Sequence, residues 1–182
     1  APYLEQMGVE ARTVSGDILE DAGAVGDFAA FIIVTRGDPG QEEFGLTPKA
    51  TEVLTDFVEN GGRLLMTLGA TPPEEILSGD FHNFGHGPHW FVTETDHPIT
   101  EGYRPGQVIQ YGRYRGAARN IGDNGDILLQ EPNGNGALVV AEYGEGDLIY
   151  SAGDLGHAGH YDATTLELEK RVLRFLVFGK VQ

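Results

Sequence analysis

The sequence contains no cysteine among its 182 residues. Disulfides, thiolate-bound zinc, iron–sulfur ligation and a cysteine nucleophile are therefore excluded. Positive charge is also scarce. Three lysines (Lys49, Lys170, Lys180) and nine arginines face 28 acidic residues, for a formal net charge of −16. A nucleic-acid backbone binder needs a basic footprint, and so does a polybasic membrane-surface protein, so both classes are excluded. No apolar run approaches the roughly 20 residues that span a bilayer, which argues against membrane insertion. No G-x-G-x-x-G or Walker pattern follows a predicted strand. The opening Ala1-Pro2-Tyr3 has neither the basic start nor the apolar stretch of a signal peptide.

What is present is a hydrophobic share of 40%, enough for a packed core and too much for a disordered acidic tail. The length suits one domain, 1–182. An acidic, lysine-poor composition fits a salt-adapted organism, because dense carboxylates hold water and counterions, and it leans toward the extracellular space or the cell surface. The plainer account is an ordinary acidic protein kept soluble by its charge.

Along the chain, Pro2–Met7 reads as the end of a helix stopped by Gly8, and Val9–Val14 alternates as a strand with one polar face. Asp17–Ala22 reads as a short helical turn. Ala29–Val34 is a continuous apolar run with β-branched residues, the pattern of a parallel strand buried on both faces. Thr47-Pro48 opens a helix, with threonine as N-cap and proline at the first helical position. Ala50, Val53, Leu54, Phe57 and Val58 recur at helical spacing, and Asn60-Gly61-Gly62 supplies a left-handed cap. Arg63–Thr67 is the next buried strand, so strand, helix and strand form a right-handed crossover. Pro72–Leu77 reads as a short helix. Short strands are predicted at Trp90–Thr95, Val108–Tyr111, Ile127–Gln130, Leu138–Tyr143 and Leu148–Ala152, the last two as a hairpin. Thr164–Phe178 is the closing helix.

These residues resemble a family. Thr47-Pro48, Leu54 and the run Phe57–Met66 look like the core helix–strand unit of class I glutamine-amidotransferase-like domains. His97-Pro98-Ile99-Thr100-Glu101-Gly102 is similar to a segment of the trehalose-utilisation branch. Ala137–Gly146 followed by Leu148–Gly153 resembles the closing hairpin, beyond which a bound or catalytic group often lies. The resemblance covers 28–179 and implies an α/β, three-layer flavodoxin-like sandwich, with a mostly parallel sheet and an added antiparallel hairpin. Two departures matter. The family's glutaminases carry a cysteine on a sharp strand-to-helix elbow, whereas this elbow reads Thr67-Leu68-Gly69-Ala70. Thr67 has no activating base nearby in sequence, so glutamine hydrolysis is not expected. Such domains also usually open with a buried strand before the first helix, and this chain begins at the helix. The expectation is that another protein segment or chain supplies that strand and that the chain is part of a larger polypeptide.

The histidines are the concentrated chemical signal. His82, His86 and His89 lie in one glycine-rich loop region, and His157 and His160 in another. In the implied fold both loops follow strand ends at the carboxyl edge of the sheet, where open α/β sheets bind ligands. Imidazoles suit a transition metal such as zinc, with a carboxylate from Asp154 or Asp162. The plainer account is surface histidines in loops, with no cofactor. His97 reads as a structural residue that caps local backbone or packs on the sheet. Trp90, Phe91, Tyr103, Tyr111, Tyr114 and Tyr161 are candidates to line a sugar-stacking cleft, against a plainer role in packing. Glu142 is a further carboxylate expected near the site. The leading expectation is a non-catalytic binding or assembly module, its ligand contacts at Trp90, Tyr161 and Glu142. The alternative is a carbohydrate-active enzyme resembling the trehalose-utilisation family, with His86, His157 and Asp154 at its centre and a possible carbohydrate partner.

Overall fold

Local chemistry accounts for the elements. The computed structural model describes residues 2–34, 45–82, 89–94, 96–110, 116–153 and 163–179. In chain order they form α1 (Pro2–Gln6), a 3-10 turn (Gly16–Glu20), α2 (Ala22–Val25), β1 (Ala30–Val34), α3 (Pro48–Glu59), β2 (Arg63–Thr67), β3 (Asp80–His82), β4 (His89–Val92), β5 (Val108–Gln110), β6 (Ala117–Arg119), β7 (Asp126–Gln130), β8 (Gly136–Tyr143), β9 (Gly146–Ser151) and α4 (Ala163–Phe178).

Helix α3 starts where its N-cap dictates. The Thr47 hydroxyl accepts the Ala50 amide at 3.1 Å, and Pro48 fills the first turn without wasting a donor. It ends in a Schellman closure: the Gly62 amide reaches the Phe57 carbonyl at 2.9 Å while Gly61 sits at φ +95°. That closure turns the chain straight into β2, all of whose residues from Leu64 to Thr67 are buried.

The sheet runs β1-β2-β9-β8-β7-β4-β5, with β3 and β6 paired off this path and β6 joining β8. Strands β1, β2 and β9 are parallel, in the register Ile32–Leu65–Ile149. From β9 onward the pairing is antiparallel through β8, β7, β4 and β5. Helices α3 and α4 both pack on β2, which gives three layers. The architecture is the flavodoxin-like α/β fold. Its core runs from Phe31 and Leu54 through Leu64, Leu65 and Met66 to Trp90, Leu128, Tyr150 and Leu176.

Two contacts fix the hairpin of β8 and β9 beneath α3. The Glu145 amide donates to the Glu59 carbonyl at 2.9 Å. A Cβ on Gly146 would lie 2.2 Å from the Gly62 carbonyl oxygen and 2.3 Å from that of Val58, so only glycine fits. At the same edge Arg63 donates Nε to Asp147 at 3.3 Å and a terminal nitrogen to the Val177 carbonyl at 3.3 Å, tying β2 and β9 to the end of α4.

Four expectations are corrected. The antiparallel part of the sheet is much larger than one added hairpin. Strand β1 is parallel but not buried on both faces: Phe31 and Ile33 are covered, while Ile32 and Val34 are 39% and 54% exposed. The reason is that β1 stands at the end of the sheet path, with β2 as its one partner among the described residues. Val9–Val14 forms neither helix nor strand and pairs with no strand among the described residues. Pro72–Leu77 forms a turn rather than a helix, with the Ile76 and Leu77 amides both donating to the Pro73 carbonyl at 3.0 Å.

Candidate functional site

The carboxyl ends of the parallel strands converge on an elbow. Strand β2 stops at Thr67, and the next residue, Leu68, takes φ +59°. A leucine in the left-handed region costs about 1–2 kcal/mol, which surrounding contacts must hold in place. They do. The Leu68 amide donates to the Ser151 carbonyl at 2.9 Å, and the buried Tyr150 hydroxyl donates to the Leu68 carbonyl. Thr67 is fully buried and directs its hydroxyl to the Ile33 carbonyl at 3.4 Å. The strained position at the strand end is therefore filled by an 8%-exposed aliphatic side chain, with no ionisable or nucleophilic atom on it.

Glycine 116 joins three elements at this elbow. Its amide donates to the Ala152 carbonyl just after β9. A Cβ there would lie 2.6 Å from the carbonyl oxygens of both His82 and Leu68. The backbone of His82, at the start of the first histidine region, thus sits against the elbow and close to the end of β9. Phe81 continues the contact, its ring 4.7 Å from that of Tyr150. Residues 154–162, which carry the second histidine pair, follow directly from Gly153.

Sequence reasoning missed Glu131. It follows β7 at this same edge and is 1% exposed. Its amide donates to the Asn135 carbonyl at 2.8 Å, which closes the Glu131–Asn135 turn. Burial first, and the Glu131 carboxylate second, push the Tyr150 phenol far above its ordinary value of 10.0. Tyr150 is therefore a fixed neutral donor to the elbow. The turn signal Pro132-Asn133-Gly134 marks a loop in sequence, and nothing there announces that the residue before it is buried.

The other anticipated residues fall in different places. His89 opens β4 and pairs with Gln110 on β5. It is at the carboxyl edge on β4, four strands from β2 along the sheet path, whereas His82 lies on β3, which pairs with β6. Trp90 is 1% exposed within the core, so its ring packs inside rather than lining a cleft. Glu142 pairs with Asp147 beside the hairpin turn, at the opposite end of the sheet from the elbow. Its expected place near the site is corrected, because β8 runs away from that edge. His97 behaves as a structural residue. Its Nδ1 accepts the Ile99 amide at 3.2 Å, and its ring packs 4.7 Å from Phe175 of α4. His86, Asp154, His157, His160, Tyr161 and Asp162 lie outside the described residues, as do Tyr111 and Tyr114. Among the described residues no three histidine or acidic side chains gather as a metal site, and no helix is long and apolar enough to cross a membrane. A cavity of about 450 Å³ opens at the far end, between α2, α3 and the base of β1, over Val25, Phe28 and Phe57. It is remote from the elbow.

No family model matches the chain, and no curated protein matches it. Solved structures do. A cytoplasmic protein from Salmonella typhimurium is 19% identical with a TM-score of 0.64, over 97% of this chain and 84% of that one. A ThuA-like protein from Bacteroides uniformis is 15% identical with a TM-score of 0.65, over 97% and 82%. The cold-adapted β-galactosidase from Rahnella sp. R3 is 14% identical with a TM-score of 0.58, over 95% of this chain but 25% of that one. At these identities the likeness concerns architecture alone: the chain shares the flavodoxin-like α/β fold with these proteins, the ThuA-like one among them.

Proposed function

We propose that the chain is a non-catalytic binding or assembly module of a larger protein. The observation that carries this reading is Leu68, a buried aliphatic side chain at the strained elbow where the glutamine-amidotransferase-like fold would hold its nucleophile. The elbow's backbone strain is kept while the reactive atom is absent. The recurrence of the fold as a quarter of a β-galactosidase chain supports a modular use. The acidic, lysine-poor composition favours a salt-rich setting at or outside the cell surface. The test is turnover by the purified protein. Neither ammonia from glutamine nor reducing sugar from a panel of disaccharides should rise above the buffer rate, and release of either overturns the reading.

A second reading is favoured by the meeting of His82 and the end of β9 at Gly116. It makes the chain a carbohydrate-active enzyme that uses His86, His157 and Asp154, with or without zinc held by His82, His86, His157 or His160. Elemental analysis, paired with melting in the presence and absence of chelator, separates the two. The module reading expects no stoichiometric metal and no shift. A stoichiometric metal whose removal lowers the melting temperature would favour the enzyme.

A further inference from the structure

We infer that the cavity between α2, α3 and the base of β1 is a binding site for a small organic cation, an amine carried on an aromatic or branched apolar body. The inference stands apart from the elbow and holds whether or not the chain catalyses a reaction there.

Helical spacing builds the wall. Val53, Asp56, Phe57 and Asn60 recur at the intervals that bring side chains onto one face, so a single stripe of α3 lines the cavity, and Val25 of α2 and Phe28 complete it. Every residue of the lining is a described one. The volume of about 450 Å³ falls among those of small-ligand pockets, roughly 300–1,000 Å³. Gly62 sets the position of the Phe57 ring. A Cβ at Gly62 would run into three carbons of that ring, so the ring lies with a face over the glycine, and a larger residue there would displace it. Phe31 steadies both Phe28 and Phe57, at centroid separations of 4.8 and 5.4 Å.

The polar groups of the lining choose the sign of the ligand's charge. The side-chain donors are committed. The Asn60 amide nitrogen donates to the Asp56 carbonyl at 2.7 Å, and the Arg63 guanidinium is held by Asp147 and by the Val177 carbonyl, each at 3.3 Å. The backbone amides of Gly26, Phe28, Gly61 and Gly62 all donate to backbone carbonyls. Acceptors remain. The Asp56 carboxylate is exposed and has no hydrogen-bond or ion-pair partner among the described residues, and the Asn60 side-chain oxygen accepts from none of them. Helix α3 ends here, and its carbonyl end adds partial negative charge.

The rings choose the ligand's body. An aromatic face attracts a cation within about 6 Å of its centroid. Phe28 already takes one in this way, with the Arg12 guanidinium carbon 4.6 Å from its centroid. No cation of the described residues stacks on Phe57. Arg63 is the cationic side chain of the lining, and it is paired with Asp147, so the lining brings no positive charge of its own to Asp56. A carboxylate ligand would be repelled by Asp56 and by the end of α3. An uncharged ligand would leave both acceptors without a donor. An amine on an apolar body suits the whole lining: its body packs on Val25, Val53 and Phe57, and its N–H groups donate to Asp56 and Asn60.

The experiment titrates the whole chain with phenethylamine at low ionic strength, where an exposed carboxylate is least screened. Phenethyl alcohol and hydrocinnamate, a neutral and an anionic molecule of similar shape, are the comparators. Saturable amide NMR shifts are expected at Val53, Phe57 and Gly61, with the alcohol bound about fivefold more weakly than the amine and the acid more weakly still. Asp56→Asn removes the charge without touching a side-chain bond of the fold. It should weaken the amine about fivefold and leave the alcohol unchanged. Asp17→Asn removes the same charge at the 3-10 turn, outside the lining, and should change neither. Shifts that do not saturate, equal binding of amine and alcohol, or shifts centred away from the cavity would each overturn the inference. So would equal weakening by Asp17→Asn and Asp56→Asn, which would assign the attraction to the overall charge of −16.

Discussion

Gly116→Ala is expected to lower the melting temperature by about 6–12 °C, corresponding to a loss of about 3 kcal/mol for a domain of this size. The new methyl would have to enter a gap bounded by two carbonyl oxygens at 2.6 Å and by the Leu68 carbonyl carbon at 2.9 Å. All three are backbone atoms, so no side chain can rotate to make room. The clash would separate β3 from the elbow and strain the bond from Gly116 to Ala152. Gly16→Ala is the control. A Cβ there meets nothing within 4 Å, and its effect should stay within about 0.5 kcal/mol. Differential scanning calorimetry on both variants decides the matter. Equal melting temperatures would mean that His82 is not pinned against the elbow.

Tyr150→Phe is expected to cost about 1–3 kcal/mol at neutral pH, because the Leu68 carbonyl loses its buried donor. The alkaline limb provides the sharper test. Burial and Glu131 raise the folded-state pKa of Tyr150 above its ordinary value. The unfolded tyrosine ionises near pH 10 and the folded one does not, so the stabilisation is fully present below that value. It falls by about 1.4 kcal/mol per pH unit as the pH rises beyond it. Phenylalanine has no such dependence. Urea unfolding of both proteins from about pH 8 to about pH 11 should therefore show their stability difference shrinking above pH 10, with the other tyrosines cancelling in the comparison. Parallel curves would place the Tyr150 hydroxyl in contact with solvent.

Much of the scaffold was legible because its signals are local. The Thr47 cap, the Gly61 turn and the apolar face of α3 each act within a few residues, and the hairpin of β8 and β9 is announced by the turn at Gly144, φ +60°. What failed depends on neighbours that sequence does not name. The apolar run at β1 reads as doubly buried, yet burial of Ile32 and Val34 needs a strand beside them. Val9–Val14 has strand alternation without a strand. Three-residue strands such as Asp80–His82 and Ala117–Arg119 are too short to show a period. Of the histidines expected at the carboxyl edge, His82 lies with its backbone against the elbow, while His86, His157 and His160 lie outside the described residues. Glu142 was misplaced because one residue's position along a hairpin gives no clue to which end of the sheet it reaches. Glu131 and Leu68 were passed over for a related reason. A buried carboxylate and a left-handed leucine are defined by their surroundings, and neither residue type flags them.

The change of direction at β9 has a kinetic consequence. On one side β9 meets β8 across the tight turn between Tyr143 and Gly146; on the other it meets β2, with Arg63 opposite Asp147, 84 residues away. The first pairing closes a short loop and the second a long one, and long-range pairing is the slower event in folding. A single strand thus belongs to an early unit through one ladder and a late unit through the other. Substitutions along the turn should act mainly on the refolding rate, and loosening the Arg63–Asp147 clasp mainly on the unfolding rate. The lifetime of the native state is therefore expected to respond most to changes at the edge of the sheet opposite the elbow.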